Sequence, residues 1–296
     1  MPSSWPSALP LAVEHLPGSV PSTRRAVFLH GMLGRGNNLR SLARRFVDAR
    51  PGWDALLVDL RGHGASPKSS PDPSLSAAAG DVHALCAGGH VAALIGHSFG
   101  GKVALEVARI AHSAGSKSGT AALALPGLAH VVTLDTNPGV RRPGDVTGRD
   151  SVVAVLQLLA GLPAVHASRT AFVEALVTQG LSRMLAGWLA QSTEAAPTAP
   201  GAVRFALDLG ELRALLDSYF ENDLWPFLSQ PPPGLQIHLV IGERSASYSS
   251  ADRERAAQLA ARWPQVTVDL LPTDHWVHAE DPEGLLKLLA ARLPPG

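Results

Sequence analysis

The sequence predicts an α/β fold: a mostly parallel, doubly wound sheet flanked by helices and interrupted by a helical insertion. Three observations predict it. Between residues 24 and 138, short apolar runs alternate with segments of helical period. From residue 139 to 231 the alternation stops and only helical spacing is found. From residue 235 onward, strand and helix alternate again. Strands separated by helices are expected to run parallel, with the crossover helices covering the sheet.

The elements follow in order. Residues 1–23 carry Pro2, Pro6, Pro10 and Pro17 and lack the basic start of a secretory signal, so they are expected to form an extended, loosely held arm. Residues 26–30 (Ala-Val-Phe-Leu-His) read as a buried strand closed by Gly31. Leu39, Leu42, Ala43 and Phe46 share one face of a helix over 37–50. A second strand is expected at 55–60, an Ala-rich helix at 74–87, a third strand at 91–95, an apolar helix at 103–112 and a fourth strand at 131–134. Within the insertion, residues 152–159, 171–189 and 209–220 have helical spacing, and 192–201, rich in Thr, Glu, Ala and Pro, reads as an exposed loop. Pro231-Pro232-Pro233-Gly234 marks its end. A strand at 235–241, a helix at 251–263, a strand at 266–271 and a helix at 282–293 complete the chain. The domain organisation expected is an arm (1–23), a core (24–138 and 232–296) and a helical cap (139–231).

Composition narrows the function. Hydrophobic residues make up 46% and charged residues 17% of 296, enough for a sizeable core and against wholesale disorder. Lys plus Arg and Asp plus Glu are 25 each, which removes the simplest support for a nucleic-acid surface. The lone Cys86 excludes an intramolecular disulfide framework, a Cys-rich zinc site and an iron–sulfur cluster. No stretch reaches about 18 uninterrupted apolar residues, so no transmembrane helix is expected. The expectation is a soluble, intracellular protein, of the cytoplasm or an organelle.

The strongest motif is Gly96-His97-Ser98-Phe99-Gly100, placed between an expected strand and an expected helix. A serine nucleophile on so sharp a turn needs small neighbours two residues to either side. The helix start then supplies positive potential and a free N–H. The alternative is a Gly-rich turn whose Ser caps the helix. Gly96 to Gly101-Lys102 also begins like a phosphate-binding loop, but Val103 stands where a magnesium-binding Ser or Thr belongs. Stabilising an oxyanion takes two backbone N–H groups, and Phe99 and Met32 (in His30-Gly31-Met32-Leu33-Gly34) are the candidates. Asp59, Arg61 and His63, in a Gly-rich turn, read as buried polar anchors without a catalytic role.

The base expected is His275, just after the last strand; His278 is its competitor. The acid is open. Asp135, at the end of the 131–134 strand, comes first; Asp208, within the insertion, is the alternative, and Glu243 and Asp274 are further carboxylates. The loop after the 235–241 strand, Gly242-Glu243-Arg244-Ser245-Ala246, offers no Asp. Candidate substrate-lining residues are Leu33, Trp188, Phe205, Tyr219, Phe220, Trp225, Leu228 and Trp276. No metal and no cofactor are called for; the expected partner is a small acyl ester or thioester.

The motifs His30–Gly34, Asp59-Leu60-Arg61-Gly62-His63-Gly64-Ala65-Ser66, Gly96–Lys102 and His275-Trp276-Val277-His278 resemble the α/β-hydrolase superfamily, and within it the small lid-bearing serine esterases. The resemblance spans roughly residues 24–293. It implies the α/β-hydrolase fold and a Ser–His–acid esterase or thioesterase acting on short to medium acyl chains beneath a helical lid. Ser98 and His275 match that family's nucleophile and base. Ser at position 245 accords with an acid drawn from elsewhere, Asp135 or Asp208, while Ala246 departs from relatives that carry Asp there. A ligand-binding protein on the same scaffold and another hydrolase-fold chemistry, such as C–C bond hydrolysis, are the alternative functions.

Overall fold

The computed structural model describes residues 8–68, 71–113, 124–142, 144, 146, 148, 150–197 and 199–295. The strands among them are β1 (Val13–Leu16), β2 (Arg24–Leu29), β3 (Trp53–Val58), β4 (Val91–His97), β5 (His130–Leu134), β6 (Thr193–Ala195), β7 (Val203–Phe205), β8 (Gln236–Gly242) and β9 (Val266–Leu271). The helices are α1 (Arg40–Ala49), α2 (Leu75–Ala87), α3 (Phe99–Ser113), α4 (Val152–Gly161), α5 (Arg169–Thr178), α6 (Arg183–Leu189), α7 (Leu209–Glu221), α8 (Trp225–Leu228), α9 (Ser250–Arg262), α10 (Val277–Glu280) and α11 (Pro282–Arg292).

Seven of the described strands form one sheet in the order β1-β3-β2-β4-β5-β8-β9. Every pairing is parallel except β1 with β3. Side-chain alternation divides the interior. Ala26 and Phe28 face Leu42, Phe46, Leu285 and Leu289 of α1 and α11. Val27 and Leu29 face α2, α3 and the segment inserted between β5 and β8. From β2 the chain passes first to β3 on one side and then to β4 on the other. The carboxyl ends of β2 and β4 therefore flank a topological switch point, where open α/β sheets bind ligands.

Three expectations change. The arm is not loose from residue 13: β1 pairs with β3 along its length, and before it the Leu9 and Ala12 N–H groups donate to Asp81 and Ser66. Residues 1–7 of the expected arm lie outside the described residues. The helix expected over 171–189 is two helices, broken where Gly180 turns left-handed (φ +97°) and Ser182 caps α6. The exposed loop over 192–201 contains β6, which pairs antiparallel with β7. Strands of three residues are too short to show a period in sequence.

Leu16 is buried in the α1 face of the sheet, whereas Val13 is 46% exposed. Leu16→Ala is expected to destabilise the protein by about 2–4 kcal/mol and Val13→Ala by less than about 0.5 kcal/mol in urea unfolding. Equal, small effects would mean that the arm is loosely held after all.

Candidate active site

Ser98 follows β4 and precedes α3, with a left-handed backbone (φ +52°). That conformation brings the flanking backbone so close that side chains are forbidden. A Cβ on Gly96 would lie 2.2 Å from the Gly100 carbonyl oxygen, and one on Gly100 would lie 2.4 Å from that of Leu29. A Cβ on Gly101 would lie 2.1 Å from Thr136 Oγ1. The turn is tied down from outside: Ser98 N–H donates to the Leu134 carbonyl at 3.0 Å, and Thr136 Oγ1 donates to the Ser98 carbonyl at 2.9 Å. Phe99 opens α3, so its N–H is one of the donors that no helical carbonyl can satisfy.

The loop after β2 is equally constrained. Gly34 N–H closes a turn onto the Gly31 carbonyl at 3.0 Å, leaving the Met32 N–H outside that bond. Leu33 is left-handed (φ +66°). Two buried imidazoles hold the loop. His63 Nδ1–H donates to the Arg61 carbonyl at 2.8 Å, and its Nε2 accepts the Leu33 N–H at 3.2 Å. His30 Nδ1–H donates to the Gly31 carbonyl at 2.8 Å, and its Nε2 accepts the Leu60 N–H at 3.0 Å. Each ring needs one donor and one acceptor nitrogen, which only the neutral form has. The anchoring expected of the Gly-rich turn is also seen in Asp59, whose carboxylate accepts the Gly36 and Ala65 N–H groups, and in the buried Arg61–Asp81 pair.

Asp135 and His275 meet across the sheet edge. His275 Nδ1 lies 2.7 Å from Asp135 Oδ2. Asp135 is buried and accepts two further bonds, from the Gly242 N–H at 3.0 Å and from the Ser245 hydroxyl. It too is left-handed (φ +49°), so all three non-Gly residues with positive φ among the described residues flank this site. Ser247 Oγ lies 3.0 Å from His275 Nδ1, a second partner that nothing in the sequence pattern marks. The His275 loop is braced from below, where His97 Nε2–H donates to the His275 carbonyl at 2.9 Å. The other carboxylates serve elsewhere. Asp208 Oδ1 caps α7 through the Glu211 N–H at 2.9 Å, Glu243 is exposed, and Asp274 lies 3.7 Å from Arg244. The Lys102 ammonium, which the phosphate-loop reading requires to be available, is wholly buried and bonded to the Gly139 and Tyr219 carbonyls.

Residues 26–288 match the alpha/beta hydrolase family. The chain belongs to that family. It is 27% identical over 293 residues to mouse (Mus musculus) sn-1-specific diacylglycerol lipase ABHD11, covering 96% of this chain and 85% of that protein. The zebrafish (Danio rerio) protein of the same name is 28% identical over 288 residues, covering 91% and 78%. Among solved structures, a marine microorganism esterase superposes with a TM-score of 0.75 at 20% identity, covering 97% of this chain and all (100%) of that one.

In this hydrolase Ser98 and His275 line one cavity of about 860 Å³. Gly31, Met32, Leu33 and Phe99 line its floor, and Leu216, Tyr219 and Phe220 of α7 form part of its wall. Trp188 and Trp276 also line it, their rings 5.2 Å apart and edge to face. Three expected lining residues are turned away. Trp225 backs Gly139, where an added Cβ would lie 2.5 Å from its Nε1, and lies under the Arg255 guanidinium at 4.9 Å. Phe205 stacks on Phe172 at 6.0 Å, and Leu228 is fully buried in the apolar core.

Four buried histidines near the site, His30, His63, His97 and His278, are held towards the neutral form. Burial lowers His30 to about 4. Burial, helped by the neighbouring His30, lowers His63 to about 3. Burial, and then the neighbouring His278 and His275, push His97 well below 6.5. Burial and His275 lower His278, whose Nδ1 has no partner, to about 4. In the unfolded chain these rings protonate as pH falls through 6.5. The folded state resists until about pH 4, so the unfolded state binds more protons across that window. The contribution of these rings to stability is therefore expected to be level above pH 6.5 and to fall from pH 6.5 towards 4, each such ring contributing up to about 1.4 kcal/mol per pH unit. Urea unfolding at pH 7.5, 5.5 and 4.5 checks this; a free energy that holds steady down to pH 4.5 would contradict it.

Proposed function

We propose that the protein is a cofactor-free serine hydrolase of carboxylic esters or thioesters. Its triad is Ser98, His275 and Asp135. The observation that carries the reading is the 2.7 Å contact between His275 Nδ1 and the buried Asp135 carboxylate, at the rim of the cavity that Ser98 lines. Asp135 accepts a hydrogen bond from the Nδ1–H of the neutral ring, which leaves Nε2 as the basic nitrogen. His275 Nε2 takes the Ser98 hydroxyl proton as Oγ attacks the acyl carbon. The negative charge that builds on the carbonyl oxygen is met by the Met32 and Phe99 N–H groups. The resulting imidazolium is stabilised by Asp135 and gives its proton to the departing alkoxide or thiolate. Water, activated by the same ring, then releases the acid from the acyl-enzyme.

The segment 139–231 acts as the cap, and its apolar side chains in the cavity (Val152, Val155, Leu181, Leu185, Leu216, Phe220) supply the acyl-binding wall. That wall accords with an acyl chain of short to medium length. Relatives named as sn-1-specific diacylglycerol lipases support a lipid-like ester as the substrate class.

Hydrolysis of p-nitrophenyl esters from acetate to palmitate tests the reading. Ser98→Ala and His275→Ala are expected to lose on the order of 10⁴-fold or more in kcat, and Asp135→Asn about 10²–10⁴-fold. Asp208→Asn keeps a capping oxygen at the start of α7 and removes only the charge; it is expected to retain activity, and its stability changes by no more than about 1 kcal/mol. A fluorophosphonate should add to Ser98 in the wild type and in Asp208→Asn but not in Ser98→Ala. Turnover that survives Ser98→Ala would reject the nucleophile, and Asp208→Asn inactivity with active Asp135→Asn would reject the acid.

A further inference from the structure

We propose that Lys102 is a positioning residue: it straps the cap to the nucleophile-bearing helix and so sets the acyl-binding wall of the cavity. The inference rests on the ester-hydrolase reading above. Lys102 lies in the first turn of α3, and its side chain is among the largest that are wholly buried. A buried cation must be matched by acceptors. Here Nζ donates to the Gly139 carbonyl at 2.8 Å and to the Tyr219 carbonyl at 2.7 Å, and it sits 4.4 Å from the centroid of the Tyr219 ring.

Both acceptors are strategic. Gly139 is where the chain leaves the core, just after Pro138, whose carbonyl accepts the Leu224 N–H at 2.9 Å. Tyr219 is in the last turn of α7, where helical carbonyls lack partners along the helix. The final turn is satisfied piece by piece. The Ser218 carbonyl accepts the Asn222 N–H, the Phe220 carbonyl accepts the Arg141 N–H, and the Tyr219 carbonyl accepts Lys102. Lys102 is therefore a helix C-cap supplied from another element, with the charge sign that the end of a helix dipole favours. The turn it caps carries Tyr219 and Phe220, which line the cavity, and the Tyr219 ring also lies 6.0 Å from that of Phe99.

The strap tolerates either protonation state. Burial pulls the ammonium down to about 7, with Asp223 raising it and Arg141 lowering it further. A neutral amine still has two N–H donors, one for each carbonyl.

Lys102→Met keeps the length of the side chain and removes its donors. The expected result is a fall in kcat/KM of about tenfold or more on p-nitrophenyl decanoate, carried by KM, against less than about threefold on the acetate. Lys102→Gln, which retains N–H donors, should recover part of the decanoate preference. Amide exchange should quicken in residues 138–141 and 216–224 but not in β4. A uniform loss on both esters, an unchanged chain-length profile, or a Gln variant no better than Met would overturn the proposal. Decanoate binding, followed by the fluorescence of Trp188 and Trp276, reads the wall without turnover. Its Kd should rise about tenfold in Lys102→Met, and an equal Kd overturns the strap. Absence of wild-type ester turnover would count against the ester-hydrolase reading alone.

Discussion

The site depends on one backbone constraint: Ser98 must sit in the left-handed region at the end of β4. A non-Gly residue there costs about 1–3 kcal/mol, which the surrounding packing must supply. The glycines that permit the turn also set its surroundings. Gly100 lets α3 press against the Leu29 and His30 carbonyls, which fixes where the loop after β2 begins. Gly101 lets α3 approach Thr136, which fixes the start of the loop after β5. The hydroxyl, the Met32 loop and Asp135 are thus located by a single close contact among three strand ends. Enlarging any of these glycines moves more than the nucleophile.

The placement of the acid follows from the same edge. β5 and β8 are neighbours in the sheet, so their carboxyl ends lie about one strand spacing, roughly 5 Å, apart. A carboxylate on either can face an imidazole on the loop after β9. In this chain the β8 position is given to close packing: a Cβ on Gly242 would lie 2.3 Å from the Asp274 carbonyl oxygen, and the Gly242 N–H points at Asp135 instead. Ser245, where an acid is absent, contributes a hydroxyl to the same carboxylate. The loop after β8 therefore holds the Asp135 carboxylate rather than bearing one that faces His275.

Much of this was legible in the sequence. The strand–helix rhythm located most of the elements, since apolar runs of five to seven residues and helices of three or more turns leave clear periods. The Gly96–Gly101 spacing exposed the elbow, because its glycines answer a steric demand that sequence states directly. Several things were not legible. The pairing of β1 depends on a partner forty residues away, the β6–β7 pair is too short to show alternation, and the direction of the Trp225 side chain depends on Gly139 and Arg255. The left-handed Leu33 was likewise hidden, for leucine rarely adopts that conformation, which Asp at 135 accommodates more readily. Ser247 was missed because a lone serine in a loop has no pattern to distinguish it.

The choice of histidine to hold the loop after β2 follows from the charge that this loop would meet as the proposed oxyanion hole. His30 and His63 each span two backbone groups, donating from one nitrogen and accepting at the other. A carboxylate could accept the Leu33 N–H, but it would set a negative charge beside the developing oxyanion. A lysine could donate to the Arg61 carbonyl but has no acceptor for Leu33. An amide has both functions but not the rigid separation of two ring nitrogens. A neutral imidazole fixes the loop without adding field. The same logic extends to His97, whose ring lies 4.7 Å from that of His275, and to His278, whose ring lies 4.6 Å from that of His97. Kept neutral by burial, they add no positive charge beside the His275 ring, which faces the buried Asp135 carboxylate.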